Sequence, residues 1–263
     1  MLSLPSVLIT VLAPSASAVD PEPVRSAIEV ACRADVVFVG ARGSGESASA
    51  QGGLGPVVWS AYASMAGELA TRGATVNAVA VDYAAVPVET LLSVTRDDSS
   101  FFASIADGVV KTGRVLDDFR RAPECQGKRL VLGGYSQGAM VIHRTLQTYA
   151  LADRPAGLIA ALLVADGDRL PGDGDLVGGA RPETFGIGQL LPAVSGSRPD
   201  RDMAGKWGIT VTEVCKPRDL VCSPEIGEAD AGDPMRQIGG QAAVHKSYAD
   251  TALVDGAARG ILR

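Results

Sequence analysis

The sequence predicts a single α/β domain built on a largely parallel β-sheet, and three observations lead to this prediction. Apolar strand-like segments alternate with helix-like segments, which is the pattern of βαβ units with right-handed crossovers. One strand runs directly into Gly134-Tyr135-Ser136-Gln137-Gly138, a G-x-S-x-G turn that opens a helix. The 263 residues are 46% hydrophobic, which is enough for one sizeable core.

The N-terminal residues 1–18 have the pattern of a secretory signal peptide. A mostly apolar run ends in an A-x-A cleavage site at residues 16–18. The run is too short to span a membrane, and Pro5 and Pro14 argue against the alternative of a buried strand. We therefore expect a secreted, extracellular protein whose mature domain, residues 19–263, contains no integral membrane segment.

The first half of the mature chain is predicted to begin with a strand at 36–39. This strand leads into a glycine-rich loop at 40–46. A helix at 56–71 follows, and its first residue is a proline, which suits the first turn of a helix. A strand at 74–81 and a helix at 101–121 complete this half.

The second half is predicted to continue the alternation. Its first strand, 130–132, is an apolar run typical of a parallel strand that is buried on both faces. The helix at 139–149 has apolar residues at helical spacing. The remaining elements are a strand at 157–165, a Gly-, Pro- and Asp-rich surface excursion at 168–207, a strand at 209–214, a loop at 223–240 and a helix at 245–262. Long excursions of this kind usually carry function or are mobile.

Charge and motif content disfavour several classes of function. The formal net charge is −6 and there is no basic run, so nothing indicates binding to nucleic acid or to an anionic membrane. The loop at 40–46 is not a nucleotide-binding loop, because Glu46 stands where the P-loop lysine would follow the glycine. The chain also lacks G-x-G-x-x-G.

The four cysteines fit an oxidising compartment, and sequence alone allows three pairings among them. Cys215 and Cys222 are close enough for a local bridge. That pairing would leave Cys32 with Cys125. A metal site is disfavoured, since the chain has no C-x-x-C and only two histidines.

The G-x-S-x-G turn makes Ser136 the candidate nucleophile, and a serine nucleophile needs a general base. The chain offers only His143 and His245. His143 lies seven residues beyond Ser136 on the same predicted helix, about 10 Å along the axis, and is therefore expected to be a packed helix residue. By elimination His245, at the predicted start of the last helix, is the base.

The base needs a carboxylate that fixes its tautomer, and in this architecture the carboxylate lies between the serine and the histidine in the chain. Asp219 is favoured because it follows the last strand inside Cys215-x-x-x-Asp-x-x-Cys222, where a short bridge would hold it rigidly. Asp166 is the second candidate and Asp168 the third. For the oxyanion, the backbone amide of Gln137 and a donor from the turn around Ser44 are expected.

These residues together resemble the cutinase family of serine esterases within the α/β-hydrolase superfamily, and particularly its actinobacterial members. Four features carry the resemblance: Ala41-Arg-Gly-Ser-Gly-Glu, Gly134-Tyr-Ser-Gln-Gly, the aspartate within the Cys215–Cys222 spacing, and His245 shortly after it. The resemblance implies an α/β-hydrolase fold with about five parallel strands flanked by helices. It also implies a Ser136–Asp219–His245 triad, an oxyanion hole at Ser44 and Gln137, bridges Cys32–Cys125 and Cys215–Cys222, and no cofactor or metal.

The expected activity is hydrolysis of acyl esters in lipids or polyesters through an acyl-enzyme, by a monomeric protein. The segments 45–55 and 168–207 look longer than in the family and could cover part of the site. The alternative is a catalytically silent secreted protein that binds lipid or cell wall on the same fold. Peptidase or thioesterase activity is also possible, because the same groups serve acyl transfer from amides and thioesters.

Overall fold

A computed structural model describes residues 22–88, 100–190, 192–199, 202–225, 234–250 and 252–262 of the chain. The predicted signal peptide, 1–18, lies outside these residues. The strands in the described part are β1 Val36–Ala41, β2 Val76–Ala80, β3 Arg129–Tyr135, β4 Leu158–Val164, β5 Asp175–Val177 and β6 Thr210–Val214. The α-helices there are α1 Glu22–Ala31, α2 Gly55–Ala70, α3 Ser100–Arg121, α4 Gln137–Thr148, α5 Ile187–Leu190, α6 Pro192–Ser195, α7 Met203–Trp207, α8 Pro234–Lys246 and α9 Ala252–Gly260.

The strands form one parallel sheet in the order β2-β1-β3-β4-β6-β5. The prediction of an α/β fold with a parallel sheet is confirmed. Because the sheet is parallel, the loops after β1, β3, β4 and β6 all emerge at its carboxyl edge. That edge is where ligands bind in open α/β sheets.

Helices cover both faces of the sheet, and the alternation of side chains along β1 shows how. Val37 and Val39 belong to the apolar cluster beneath α1, α3 and α4. Val36 and Phe38 belong to the cluster beneath α2 and α9. Since successive strand residues point to opposite faces, a continuous apolar strand serves both cores.

The structure corrects the expected number of strands and the interpretation of 168–207. A sixth strand, β5, lies within that segment and pairs with β6 at the sheet edge. Its three residues are too few to give a periodic pattern. The segment is also partly buried: Trp207 is 1% exposed, and its indole Nε1–H donates to the carbonyl of Leu146 at 2.7 Å. It is therefore not simply a surface excursion.

The prediction of a loop at 223–240 followed by one helix at 245–262 is also wrong in part. Helix α8 already begins at Pro234 and ends at Lys246, and α9 is a separate helix. Gly239 and Gly240 lower helix propensity by about 1 kcal/mol each, which concealed α8 in the sequence. The chain turns after Lys246 because Tyr248 is fully buried, where its hydroxyl accepts the backbone N–H of Lys216 at 2.8 Å.

Candidate active site

Ser136 lies between β3 and α4 in a conformation that an L-residue rarely adopts. Its φ of 54° and ψ of −117° make it a strained turn residue at the start of the helix. Its neighbours in the motif must be small. A Cβ on Gly134 would lie 2.4 Å from the carbonyl oxygen of Gly138, and a Cβ on Gly138 would lie 2.0 Å from that of Ala41. The glycines thus let α4 approach the strands closely while the serine is held at the turn.

Ser136, His245 and Asp219 form one chain of hydrogen bonds. Ser136 Oγ lies 2.9 Å from His245 Nε2. His245 Nδ1 lies 3.1 Å from each carboxylate oxygen of Asp219. The imidazole is 15% exposed and Asp219 is fully buried, so the chain runs from the interior to a surface that substrate can reach.

Asp219 is fixed from several directions, as its place within a disulfide loop suggested. Its Oδ1 accepts the backbone N–H groups of Val221 at 2.7 Å and Cys222 at 3.0 Å, and Cys222 is bonded to Cys215. Burial alone would raise the pKa of Asp219. The hydrogen bond from His245 and those from the two amides outweigh it, so that the pKa lies below its ordinary value. Asp219 is therefore an ionised acceptor at neutral pH.

His245 comes from the last turn of α8 and not from the start of a helix, which corrects the expectation. Tyr135 packs against it: the ring centroids are 5.3 Å apart and the planes are inclined by 19°. The Tyr135 hydroxyl also donates to the backbone carbonyl of His245 at 2.8 Å. Sequence analysis assigned no role to Tyr135, and its position in the G-x-S-x-G turn was the one available signal.

The second and third candidates for the carboxylate have other partners. Asp166 Oδ2 lies 2.5 Å from Nδ1 of His143, and both side chains are fully buried. Asp168 binds the guanidinium of Arg144 at 2.5 and 3.1 Å and accepts the hydroxyl of Ser197. The structure thus brings Asp219, not these two, to His245, and it places His143 in the core on α4.

The buried pair favours the charged form of its histidine. Burial opposes the imidazolium, but the adjacent carboxylate of Asp166 and the charge of Asp168 more than offset this and raise the pKa of His143 to about 9. His143 is therefore an ion-pair partner within the core, and the hydroxyl of Ser136 is hydrogen-bonded to the other histidine, His245.

Of the two residues expected at the oxyanion, one begins helix α4 and the other lies in the turn after β1. Gln137 is the first residue of α4, where its backbone amide is one of the four that have no partner within the helix. The side-chain amide of Gln137 donates to the carbonyls of Val86 and Phe101, at 3.2 Å each, and so holds α4 against these two neighbouring segments. Ser44 is partly buried in the turn after β1. A 2.7 Å hydrogen bond from Gly45 N–H to the carbonyl of Ala85 links that turn to the segment that contains Val86.

The segment 168–207 contacts the loop that carries Asp219. Ile187 N–H donates to the carbonyl of Val221 at 2.7 Å. The buried Arg169 donates from Nε to the carbonyl of Cys222 at 2.8 Å. The segment therefore supports the back of the disulfide loop.

Both disulfides implied by the resemblance are present in the structure. Cys32–Cys125 joins residues 93 positions apart, and Cys215–Cys222 closes a short loop. Among the residues described, no cluster of three or more His, Cys, Asp or Glu side chains is arranged to hold a metal ion. No helix in the described ranges is long and apolar enough to cross a membrane.

Comparisons with protein families and with curated proteins both identify similarity to cutinases. The family model described as Cutinase matches residues 31–259. A curated cutinase from Kineococcus radiotolerans is 38% identical in an alignment of 137 positions that covers 49% of this chain. The aligned part spans 39% of the length of that relative.

Two solved structures that are similar to this chain have low sequence identity to it. A cutinase-like protein from Cryptococcus sp. has a TM-score of 0.58 and 20% identity, and the match covers 87% of this chain and 93% of the other. A Trichoderma reesei cutinase in complex with a phosphonate inhibitor has a TM-score of 0.48 and 19% identity, and the match covers 92% and 90% of the two chains.

Proposed function

This chain belongs to the cutinase family, whose members are carboxylic ester hydrolases, and on that premise we propose that it is a secreted serine esterase that cleaves acyl esters of lipids or polyesters. The observation that carries the proposal is the hydrogen-bonded series Ser136–His245–Asp219 at the carboxyl edge of the sheet. Nucleophile, base and orienting carboxylate have the mutual geometry that acyl transfer through a serine requires.

In the proposed first step, Ser136 Oγ attacks the ester carbonyl carbon while its proton passes to His245 Nε2. Nδ1–H of the same imidazole donates to Asp219, which fixes the tautomer that leaves Nε2 free to accept the proton. The negative oxygen of the tetrahedral intermediate is stabilised by the amide of Gln137 and by Ser44. When the bond to the alcohol breaks, His245 returns its proton to the leaving oxygen.

In the second step, water attacks the acyl-enzyme and gives up a proton to His245, and the bond between the acyl carbon and Ser136 Oγ breaks. The carboxylic acid leaves and the serine recovers its proton. Loss of one oxyanion donor should cost about 3–4 kcal/mol of transition-state stabilisation.

Export is part of the proposal. Residues 1–18 have the pattern of a signal peptide, and the two disulfides suit an oxidising compartment. An esterase that acts on lipid or polyester outside the cell would work on substrates that are not delivered by a cytosolic carrier. The mature enzyme is proposed to comprise residues 19–263 and to act as a monomer.

The test is hydrolysis of p-nitrophenyl esters with acyl chains of about two to sixteen carbons by the wild type beside Ser136→Ala, which removes only the nucleophilic oxygen. A rate that depends on Ser136 is expected. A maximum at short or medium chains indicates a narrow or open cleft, and a maximum at long chains indicates lipid substrates. Equal rates in the two proteins, or no hydrolysis at any length, would overturn the proposal and favour a silent lipid- or wall-binding protein.

A further inference from the structure

The carboxylate of Glu46 closes the turn that holds Ser44. Glu46 Oε2 accepts the backbone N–H of Gly43 at 2.6 Å. In the opposite direction, the backbone N–H of Glu46 donates to the carbonyl of Gly43 at 3.3 Å. Ser44 and Gly45 lie between these two residues. A turn closed by both a backbone and a charged side-chain hydrogen bond is held more firmly than one closed by backbone alone.

Arg42 anchors the same turn to the sheet. It is 4% exposed, and its Nε donates to the carbonyl of Glu46 at 2.9 Å. Its terminal nitrogens donate to the carbonyls of Val81 and Tyr83, beyond β2. The guanidinium also lies 5.2 Å from the ring centroid of Tyr83. The side chain of Glu46 thus acts on a loop whose base is already fixed.

Two glycines make the room that this carboxylate occupies. A Cβ on Gly55, whose φ is +70°, would lie 2.0 Å from Glu46 Oε2. A Cβ on Gly43 would lie 3.3 Å from Glu46 Cδ and 2.7 Å from Cδ1 of Tyr135. Gly43 is therefore packed between Glu46 on one side and Tyr135 on the other, and Tyr135 stacks on His245. A continuous series of contacts joins the carboxylate to the base.

The side chain of Glu46 interacts with several charged and polar groups of the site. Burial raises the pKa of Glu46, against the hydrogen bond from Gly43 and the attraction of Arg42 and His245. The charge of Glu46 also acts on the hydroxyl-bearing rings of Tyr83 and Tyr135.

We propose that Glu46 is a positioning residue for ester hydrolysis: its carboxylate holds the Gly43–Ser44–Gly45 turn in place for the oxyanion. The inference rests on the proposed function, since it names a further residue of the same site. It assigns Glu46 no contact with substrate.

Two substitutions test this role. Glu46→Gln keeps an acceptor for the Gly43 N–H and removes the charge, whereas Glu46→Ala removes both. Glu124→Gln is the matched control, because it makes the same change of charge at an exposed residue just before β3, at the opposite edge of the sheet. For each protein we would measure kcat and KM with p-nitrophenyl butyrate.

For Glu46→Ala we expect kcat to fall by about 10²-fold with little change in KM, because a misplaced donor acts on the transition state and not on substrate binding. Glu46→Gln should recover most of kcat. Glu124→Gln should match the wild type in both kcat and KM.

The inference is overturned if kcat of Glu46→Ala stays within about twofold of the wild type, a change too small for a positioning role. It is also overturned if kcat of Glu46→Gln is as low as that of Glu46→Ala, because the retained acceptor should hold the turn. If Glu46→Ala does not fold, Glu46→Asp, whose shorter side chain draws the acceptor away from the Gly43 N–H, takes its place in the same measurement. Activity of the wild type that is lost in Ser136→Ala would meanwhile uphold the proposed function, so the two failures can be told apart.

Discussion

Tyr135 stacks on the imidazole of His245 and donates a hydrogen bond to the backbone carbonyl of the same residue. Because Tyr135 directly precedes Ser136, these contacts connect the proposed nucleophile and base through a single rigid side chain. Ser136 and His245 are 109 positions apart in the sequence. Their alignment therefore depends on how α8 docks against the end of β3.

Tyr135→Phe tests this docking. The ring and its stacking remain, and the hydrogen bond to the His245 carbonyl is lost. We expect the free energy of unfolding to fall by about 0.5–1.5 kcal/mol, and kcat to fall several-fold because the imidazole is less well held. Urea unfolding and ester hydrolysis provide the two measurements.

Tyr149→Phe is the control for that substitution. Its hydroxyl donates to Asp117 at 2.7 Å on α3, far along α4 from Ser136. A comparable loss of stability with unchanged kcat is expected. If Tyr135→Phe leaves kcat at the wild-type value, the docking role of Tyr135 is wrong.

The two histidines should differ sharply in what their substitution removes. His245→Ala should abolish hydrolysis and leave the fold intact, since the imidazole is partly exposed. His143→Ala should keep its turnover per folded molecule but lose about 3–5 kcal/mol of stability, because it leaves Asp166 buried without its partner. Thermal unfolding and kcat of both variants check this. A folded, fully active His245→Ala would contradict the assignment of the base.

The two disulfides should also differ in effect. In the chain-entropy model, Cys32–Cys125 closes a loop of 93 residues and contributes about 4–5 kcal/mol, while the Cys215–Cys222 loop contributes about 2–3 kcal/mol. Replacing the first pair with alanine should lower stability and leave kcat unchanged. Replacing the second pair should lower kcat about tenfold or more, because the loop that orients Asp219 is loosened. Equal kcat values in the two double variants would argue against this orienting role.

Stability should fall as the pH rises from about 5 to about 9, a range that follows from the two groups below. Burial and the charge of Asp166 raise the pKa of Glu213 from 4.5 to about 8, so the folded protein holds a proton that the unfolded chain has lost. The pKa of His143 is raised from 6.5 to about 9, and the folded state again holds the extra proton. For each of these groups, the free energy of unfolding falls by about 1.4 kcal/mol for every unit by which the pH rises between the pKa of the unfolded chain and the pKa of the folded protein.

Glu213→Gln isolates the first of these groups. Urea unfolding between pH 5 and 8 should show a flatter dependence in the variant, with a residual fall towards pH 9 that belongs to His143. Glu124→Gln, with the same change of charge at an exposed position, should keep the slope of the wild type. The same slope in all three proteins would show that Glu213 does not titrate with a raised pKa.

Much of the site could be predicted from the sequence because its signals are local. Ser136 lies in a motif that combines a buried strand, a strained turn and a helix within a few residues. Asp219 is marked by the cysteines on either side of it. His245 could be selected because the chain has only two histidines. The structure brings these three residues together.

The remainder could not be predicted, because it depends on packing between distant segments. The three residues of β5 form a strand only because β6 offers them an edge. Gly239 and Gly240 lower the helix propensity of α8, so this helix, which is held by tertiary contacts, was not recognised in the sequence. The partnership of Tyr135 with His245 and that of Glu46 with Gly43 arise where the loop after β1, the end of β3 and helix α8 meet, and no periodic pattern marks such a meeting point.

The central claim is that Ser136 is a nucleophile activated by His245, and covalent labelling tests it most directly. The protein would be incubated with a p-nitrophenyl alkylphosphonate, which phosphonylates an activated serine and releases p-nitrophenol, and then analysed by intact mass and peptide mapping. We expect one phosphonyl group per chain, located on Ser136, with labelling absent in Ser136→Ala and strongly slowed in His245→Ala. Labelling that is absent in the folded wild type, or that falls on another residue, would contradict the claim.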